Sequence, residues 1–304
     1  MKKGNMKKVI LIFLTWWWLI FLKLELSAEG NFLWEVNDGG TKLYLLGSIH
    51  LMRKEMYPLD EKIEASFQNS DILVVEADPS KIDQQKMTEL VMQNGFYKEG
   101  ESLETKITAE LYQKVSETFN NFDTPITQIR KYKPWLICLK LGLMNLEKLG
   151  MKSELGVDVH FIAKAQEREM EILELESADL QITLLSSFPE EHQIDYLEHV
   201  LNDTEDIERA VNDMIAAWKT GNVDSMNATV KQRILEDADK LPGLRDYYNN
   251  LFSQRDEHIF QKLITYLKSD SGKTYFVIVG AGHLVGKDGL LQMLEDNGYK
   301  TVQL

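Results

Sequence analysis

Leu43-Tyr-Leu-Leu-Gly-Ser-Ile-His50 and Phe276-Val-Ile-Val-Gly-Ala-Gly-His283 decide how this chain folds. Each is an apolar run that ends in Gly-x-x-His. Residues 59–69 follow the first with helical spacing and lead to Asp71-Ile-Leu-Val-Val-Glu76, while residues 287–297 and 299–303 repeat helix and strand after the second. Short apolar runs read as buried strands, and the amphipathic stretches between them as crossover helices. Two such strand–Gly-x-x-His–helix–strand units predict an α/β fold. Its central sheet is mixed but largely parallel and is covered by helices. Ligands in such sheets bind at the carboxyl ends of the strands, where both histidines fall.

Upstream, Phe32-Leu-Trp-Glu-Val36, a turn at Asp38-Gly-Gly-Thr41 and the run from Lys42 read as a β-hairpin. Residues 81–268 read as a mainly helical insertion, with caps and breakers at Thr108, Pro125, Pro134, Pro189 and Pro242. The exception is Met170-Glu-Ile-Leu-Glu-Leu-Glu176, a strand expected after a helix at 156–168. No linker or short-period repeat divides residues 29–304, which are expected to form one α/β domain.

The first 28 residues read differently. Lys2, Lys3, Lys7 and Lys8 precede the fourteen apolar-rich residues from Val9 to Leu22, which predicts a signal peptide. An uncleaved anchor held at the interface by Trp16, Trp17 and Trp18 is the alternative, since ~20 residues are needed to span a bilayer. Either way the protein is expected outside the cytoplasm, periplasmic, extracellular or anchored at the outer face.

Net charge is −14, and residues 1–30 carry five lysines against two glutamates, so the remainder is more acidic still. Such a body repels phosphate backbones, which argues against nucleic-acid partners, while it permits cationic peptides or divalent metals without pointing to them. Cys138 is the only cysteine, so no intrachain disulfide forms, and its apolar helical setting reads as core.

The chemistry is expected at the strand ends. Histidine ligates metals or moves protons near neutral pH, and glycine permits the close approach that a strand-end site needs. The alternative for each histidine is a cap on a strand or loop carbonyl. Glu76 ends the third apolar strand on the same edge, where a carboxylate completes a metal site or acts as general base. Glu176 is a further strand-end acid, with an ion pair supporting the site as its alternative.

The paired Gly-x-x-His motifs resemble those of the TraB/GumN/TIKI family. Val74-Val-Glu-Ala-Asp78, Lys133-Pro-Trp135, Gly156-Val-Asp158 and Leu175-Glu176 are each similar to a signature of that family, in this order, and the resemblance covers about 33–304. It implies an EreA/ChaN-like fold that brings His50, Glu76 and His283 together as metal ligands. For the animal TIKI branch it implies a membrane-associated metalloprotease using manganese or cobalt rather than zinc to trim secreted proteins. TraB-like members are associated with shutting down peptide pheromones. Arg255-Asp256 stands where the family usually has Arg-Asn, and an acid there loses the amide donor. Arg255, Asp256 and Asp158 are expected to face substrate, with Arg255 orienting a carboxylate or oxyanion. A structural ion pair from Arg255 to Asp158 or Glu176 is the equal alternative.

Other signals carry less. Ser271-Gly-Lys-Thr274 lacks the first glycine of a phosphate loop and reads as a turn. Glu191-His192 and Glu198-His199 read as a solvated helix face, and His160 and His258 as helical residues without ligand roles. Ser48 lacks a nucleophile elbow. The reading is an exported, metal-dependent peptidase with Glu76 or Glu176 as proton acceptor. Its alternatives are a non-enzymatic peptide-binding protein and a metal-free hydrolase with a histidine base.

Overall fold

Runs with no polar alternation form the middle of the sheet. Strand β1 (Leu33–Asn37) turns back into β2 (Lys42–Ser48), whose last four residues are all buried. Strand β3 (Ile72–Val75) is buried throughout, β4 (Glu171–Glu174) is not, and β5 (Thr274–Gly280) is buried from its second residue on. Strand β6 is Thr301–Gln303. In this computed structural model, which describes residues 30–37, 39–202, 207–238, 241–269 and 271–304, the strands pair in the order β4-β3-β5-β2-β1-β6. The expected signal peptide or anchor at 1–28 lies outside the described residues.

Strands β4, β3, β5 and β2 are parallel neighbours, whereas β1 runs antiparallel to β2 and β6. The sheet is therefore mixed and mostly parallel, with β5 at its centre. Its edges are a four-residue and a three-residue strand, short enough to offer little template for unwanted pairing.

Alternate side chains of β5 meet different layers. Phe276 packs against Phe67 of helix Glu61–Gln68 and Phe161 of helix Val157–Glu167, at ring separations of 5.5 and 5.0 Å. Tyr275, one residue earlier, points to the opposite face and stacks on Tyr266 of helix Gln254–Leu267 at 5.1 Å. Helices thus cover both faces, as an unbroken apolar strand requires.

Between β3 and β5 the described chain is helical apart from β4. Part of that middle builds a second, smaller core from residues that include Leu103, Phe119, Ile137 and Leu197. Thr108 caps helix Ala109–Asn120 by accepting the Leu111 N–H at 3.2 Å, and Pro134 opens helix Pro134–Lys148. Cys138 is buried within this second core, and burial pushes its thiol well above the ordinary range. No helix among the described residues is long and apolar enough to cross a membrane.

Phe276→Ala removes the ring that joins β5 to two helices. It is expected to lower unfolding stability by about 3–5 kcal/mol, read as a fall in the urea midpoint at unchanged slope.

Candidate functional site

Parallel pairing brings four strand ends to one edge. Gly280 is opposite Ser48, and Val75 is opposite both Ile278 and Glu174. The ladder between β3 and β4 continues past the strands, with Leu175 N–H donating to Val75 O at 2.8 Å and Glu176 N–H to Glu76 O at 2.7 Å. Glu76 and Glu176 therefore leave adjacent strands side by side. His50 follows β2 by two residues, and His283 lies in the short helix Ala281–Leu284 directly after β5.

Each histidine is held from behind by a carboxylate. Asp158 meets His50 Nδ1 at 2.9 Å through Oδ2 and accepts the Ser48 hydroxyl at 3.0 Å through Oδ1. Asp256 meets His283 Nδ1 through Oδ1. The two Nε2 atoms are thereby left facing forward. The His50 side chain is 55% exposed, whereas that of His283 is 5% exposed, so one ring stands at the mouth and the other inside. Asp158 holds the His50 imidazole above its ordinary value, against the opposing effect of desolvation. Gly156 is needed for this arrangement, because a Cβ there would lie 2.3 Å from the His50 carbonyl oxygen.

Glu76 sits between the histidines. Its Oε1 accepts the Gly280 N–H and lies 3.7 Å from His283 Nε2. Its Oε2 accepts Arg255 Nη2 at 2.8 Å and the Gln181 amide at 3.3 Å. Burial pushes this carboxyl up, but His283, His50, Arg255 and the Gly280 N–H outweigh it and hold the group at about 2. Glu76 is thus a carboxylate at neutral pH.

Arg255 links the acids. Nε and Nη2 approach Glu176 at 2.6–3.0 Å, and Nη1 donates to Leu251 O at 3.3 Å. Of the two ion pairs open to Arg255 from sequence, the one with Glu176 is present, and Glu76 joins it. With Nε, Nη2 and one N–H of Nη1 engaged, a single N–H of Nη1 is left for any other ligand. Both oxygens of Glu176 are on Arg255 and its side chain is fully buried, so it holds Arg255 in place. Glu76 instead lines a cavity of about 240 Å³ with His50, Asp158 and Gln181.

Asp256 proves to be an internal partner of His283. It is 1% exposed, and its second oxygen takes the ammonium of Lys231, equally buried, at 3.2 Å. Lys231 also donates to Val285 O at 3.0 Å and to Asp288 at 3.4 Å. An acid at position 256 is therefore matched by a buried cation from the segment Ala228–Gln232. No local pattern marks Lys231, since its partner is distant in sequence and on another helix. Gln181 and the supporting role of Ser48 were likewise outside the reach of motif reading.

The remaining histidines stay apart from this cluster. His160 pairs with Glu64 at 3.0 Å, and His258 is exposed. His192 is half-buried and lines a different cavity instead of a solvated face.

For a divalent ion the donors fit in kind: two imidazoles whose Nε2 atoms carry no hydrogen bond, each oriented by a carboxylate on Nδ1, and one ionised carboxylate, with the proton that Asp158 favours on His50 displaced as an ion binds. A Cβ built on Gly280 would lie 3.2 Å from His50 Nε2, 3.2 Å from Glu76 Oε1 and 3.5 Å from His283 Cδ2. Glycine at 280 thus leaves a small concave space among the three residues. Among the described residues no three acidic, histidine or cysteine side chains are already closed around one point. Rotation of side chains is needed to enclose an ion.

Removing one member of the buried Lys231–Asp256 pair leaves the other charge without its partner. Lys231→Met is expected to cost about 3–5 kcal/mol. The double variant Lys231→Met/Asp256→Asn is expected to recover at least half of that loss in urea unfolding, because the uncompensated carboxylate is gone.

Residues 32–303 match the TraB/PrgY/gumN family. The chain is also similar to the uncharacterized protein YbaP of Escherichia coli (strain K12) and to its counterpart in Shigella flexneri. Each is 26% identical over 273 residues, covering 88% of this chain and 95% of the relative. No solved structure matches. The family match spans both Gly-x-x-His strand ends, Glu76 and Arg255, so this chain belongs to the TraB/PrgY/gumN family.

Proposed function

We propose that this protein is an exported, metal-dependent hydrolase that cleaves peptide bonds in peptides or secreted proteins. The observation that carries the reading is the pair of carboxylate-anchored histidines whose free Nε2 atoms flank the ionised Glu76. His50, Glu76 and His283 would hold the ion, and the resemblance to the TIKI branch favours manganese or cobalt. A divalent ion supplies acidified water and a polarised carbonyl at neutral pH.

The chain's own groups do the rest. Asp158 and Asp256 fix the tautomers of the two imidazoles by occupying Nδ1. Arg255, backed by Glu176, keeps Glu76 ionised, so that Glu76 can take a proton inside the cavity it lines. The remaining Nη1 N–H of Arg255 is the donor available to a developing oxyanion. Export rests on the lysine-rich start and apolar run of residues 1–22. The acidic body favours cationic peptides.

A metal-free hydrolase is the second reading, and the His50–Asp158 pair favours it. With Nδ1 held by Asp158, the exposed Nε2 is placed to act as general base at pH values above the raised range in which this imidazole keeps its proton.

Calorimetric titration with Mn²⁺ and Co²⁺, joined to peptide-library cleavage with and without chelator, tests these readings. One ion bound per chain and chelator-sensitive cleavage are expected. His50→Ala and His283→Ala should each weaken metal binding and lower kcat/KM by at least ~100-fold. Cleavage that persists in chelator, with no ion bound, overturns the metal reading in favour of the His50 base. Tight peptide binding without cleavage under every metal condition overturns both in favour of a peptide-binding protein.

A further inference from the structure

A second cavity, of about 250 Å³, opens between helix Pro134–Lys148, helix Glu190–Asn202 and the segment around Gly243. Its lining is apolar in character, with Trp135, Leu143, Leu185 and Phe188 among the walls. Tyr196 and Tyr247, stacked at 4.2 Å, form another part of it. An apolar cavity of ~150 Å³ is already large enough to take benzene. This one has room for a bulky side chain.

Two features connect the cavity with a ligand. Leu139 and Leu143, on the same wall, are 37% and 41% exposed, so the apolar lining runs out to the surface. Between them, Gly142 occupies the interior of a helix although a Cβ there would meet nothing within 4 Å. Glycine at such a position weakens a helix by roughly 0.5–1 kcal/mol relative to alanine. The side-chain space at the mouth is left open at a cost to the helix.

Helix Ala178–Ser186 joins this cavity to the histidine site. Ala178 and Gln181 line the cavity beside Glu76, and Gln181 donates to Glu76. Leu185, on the same helix, lines the apolar cavity. Four residues of helix advance ~6 Å. An extended peptide advances ~3.3 Å per residue, so a side chain about two residues from the one at Glu76 comes level with Leu185.

We infer that the apolar cavity is a specificity subsite, which takes an aromatic or large aliphatic side chain of a peptide bound at the histidine site. The occupant is a peptide because one helix lines both cavities, within reach of about two or three extended residues, and a cationic one because the body around them is acidic. The identity of the occupant rests on the peptide reading of the histidine site. Binding by the cavity does not rest on turnover.

The test uses the soluble peptide Gly-Lys-Ala-Phe-Ala-Lys-Gly and its twin with serine in place of phenylalanine, titrated against the full chain by calorimetry. Wild-type protein should bind the phenylalanine peptide at least tenfold more tightly than the serine peptide. Gly142→Leu, which fills the mouth, and Leu143→Gln, at an exposed position, should each reduce that preference to twofold or less. Both should leave binding of the serine peptide and of Mn²⁺ unchanged. Equal affinity of wild type for the two peptides, or no binding of either, overturns the subsite. So does a preference that survives in a folded Gly142→Leu or Leu143→Gln protein. Loss of the preference in these variants upholds the subsite even where no peptide is cleaved, in which case only the hydrolase reading fails. Cleavage of both peptides with equal kcat/KM upholds the hydrolase and removes the subsite.

Discussion

Arg255 is the charge on which the sheet edge depends. Adjacent parallel strands deliver Glu76 and Glu176 to neighbouring positions, and both carboxylates are buried. Two like charges in that setting would drive one another to take up protons. A guanidinium placed against both acids lets them stay ionised together, and its planar fork suits the geometry better than an ammonium could. Once Glu76 is fixed as a carboxylate, it attracts both histidines and accepts the Gly280 N–H, which ties the end of β5 to the end of β3.

The same solution recurs on the other side of His283. Asp256 is buried with Lys231, so the imidazole is held by an acid that already has its own cation. Two charged pairs, Arg255 with Glu176 and Lys231 with Asp256, flank a central cluster and come largely from one helix and the segments packed on it. Buried pairs of this kind contribute little net stability compared with apolar packing. Their effect is to give each acid behind the cluster its own cation.

Much of this was legible because it is carried by strands. The unbroken apolar runs ending at Gly47, Glu76 and Gly280 fix a parallel core, and parallel strands leave their following residues on one edge. His50, Glu76, Glu176 and His283 could therefore be placed near each other from residue order alone. Arg255 and Asp256 are marked only by the motif resemblance. Lys231 and Gln181 carry no such mark, since they reach the site from helices whose packing angle no residue pattern encodes. Asp256 illustrates the same limit. Its departure from the usual asparagine was visible, but its compensation by Lys231 is a tertiary fact.

The division between strands and helices has an evolutionary consequence. Every group clustered about Glu76 that follows a strand is placed by a short segment, whereas the described chain between β3 and β4 and between β4 and β5 consists of long helical excursions. Loop-closure entropy grows only slowly with length, by ~0.6 kcal/mol for each doubling. Excursions can be lengthened, shortened or exchanged at small energetic penalty while the strand ends keep their positions. The cluster at the strand ends and the helical surface around it are thus separately inheritable, so the helices can be replaced while the edge of the sheet is left untouched.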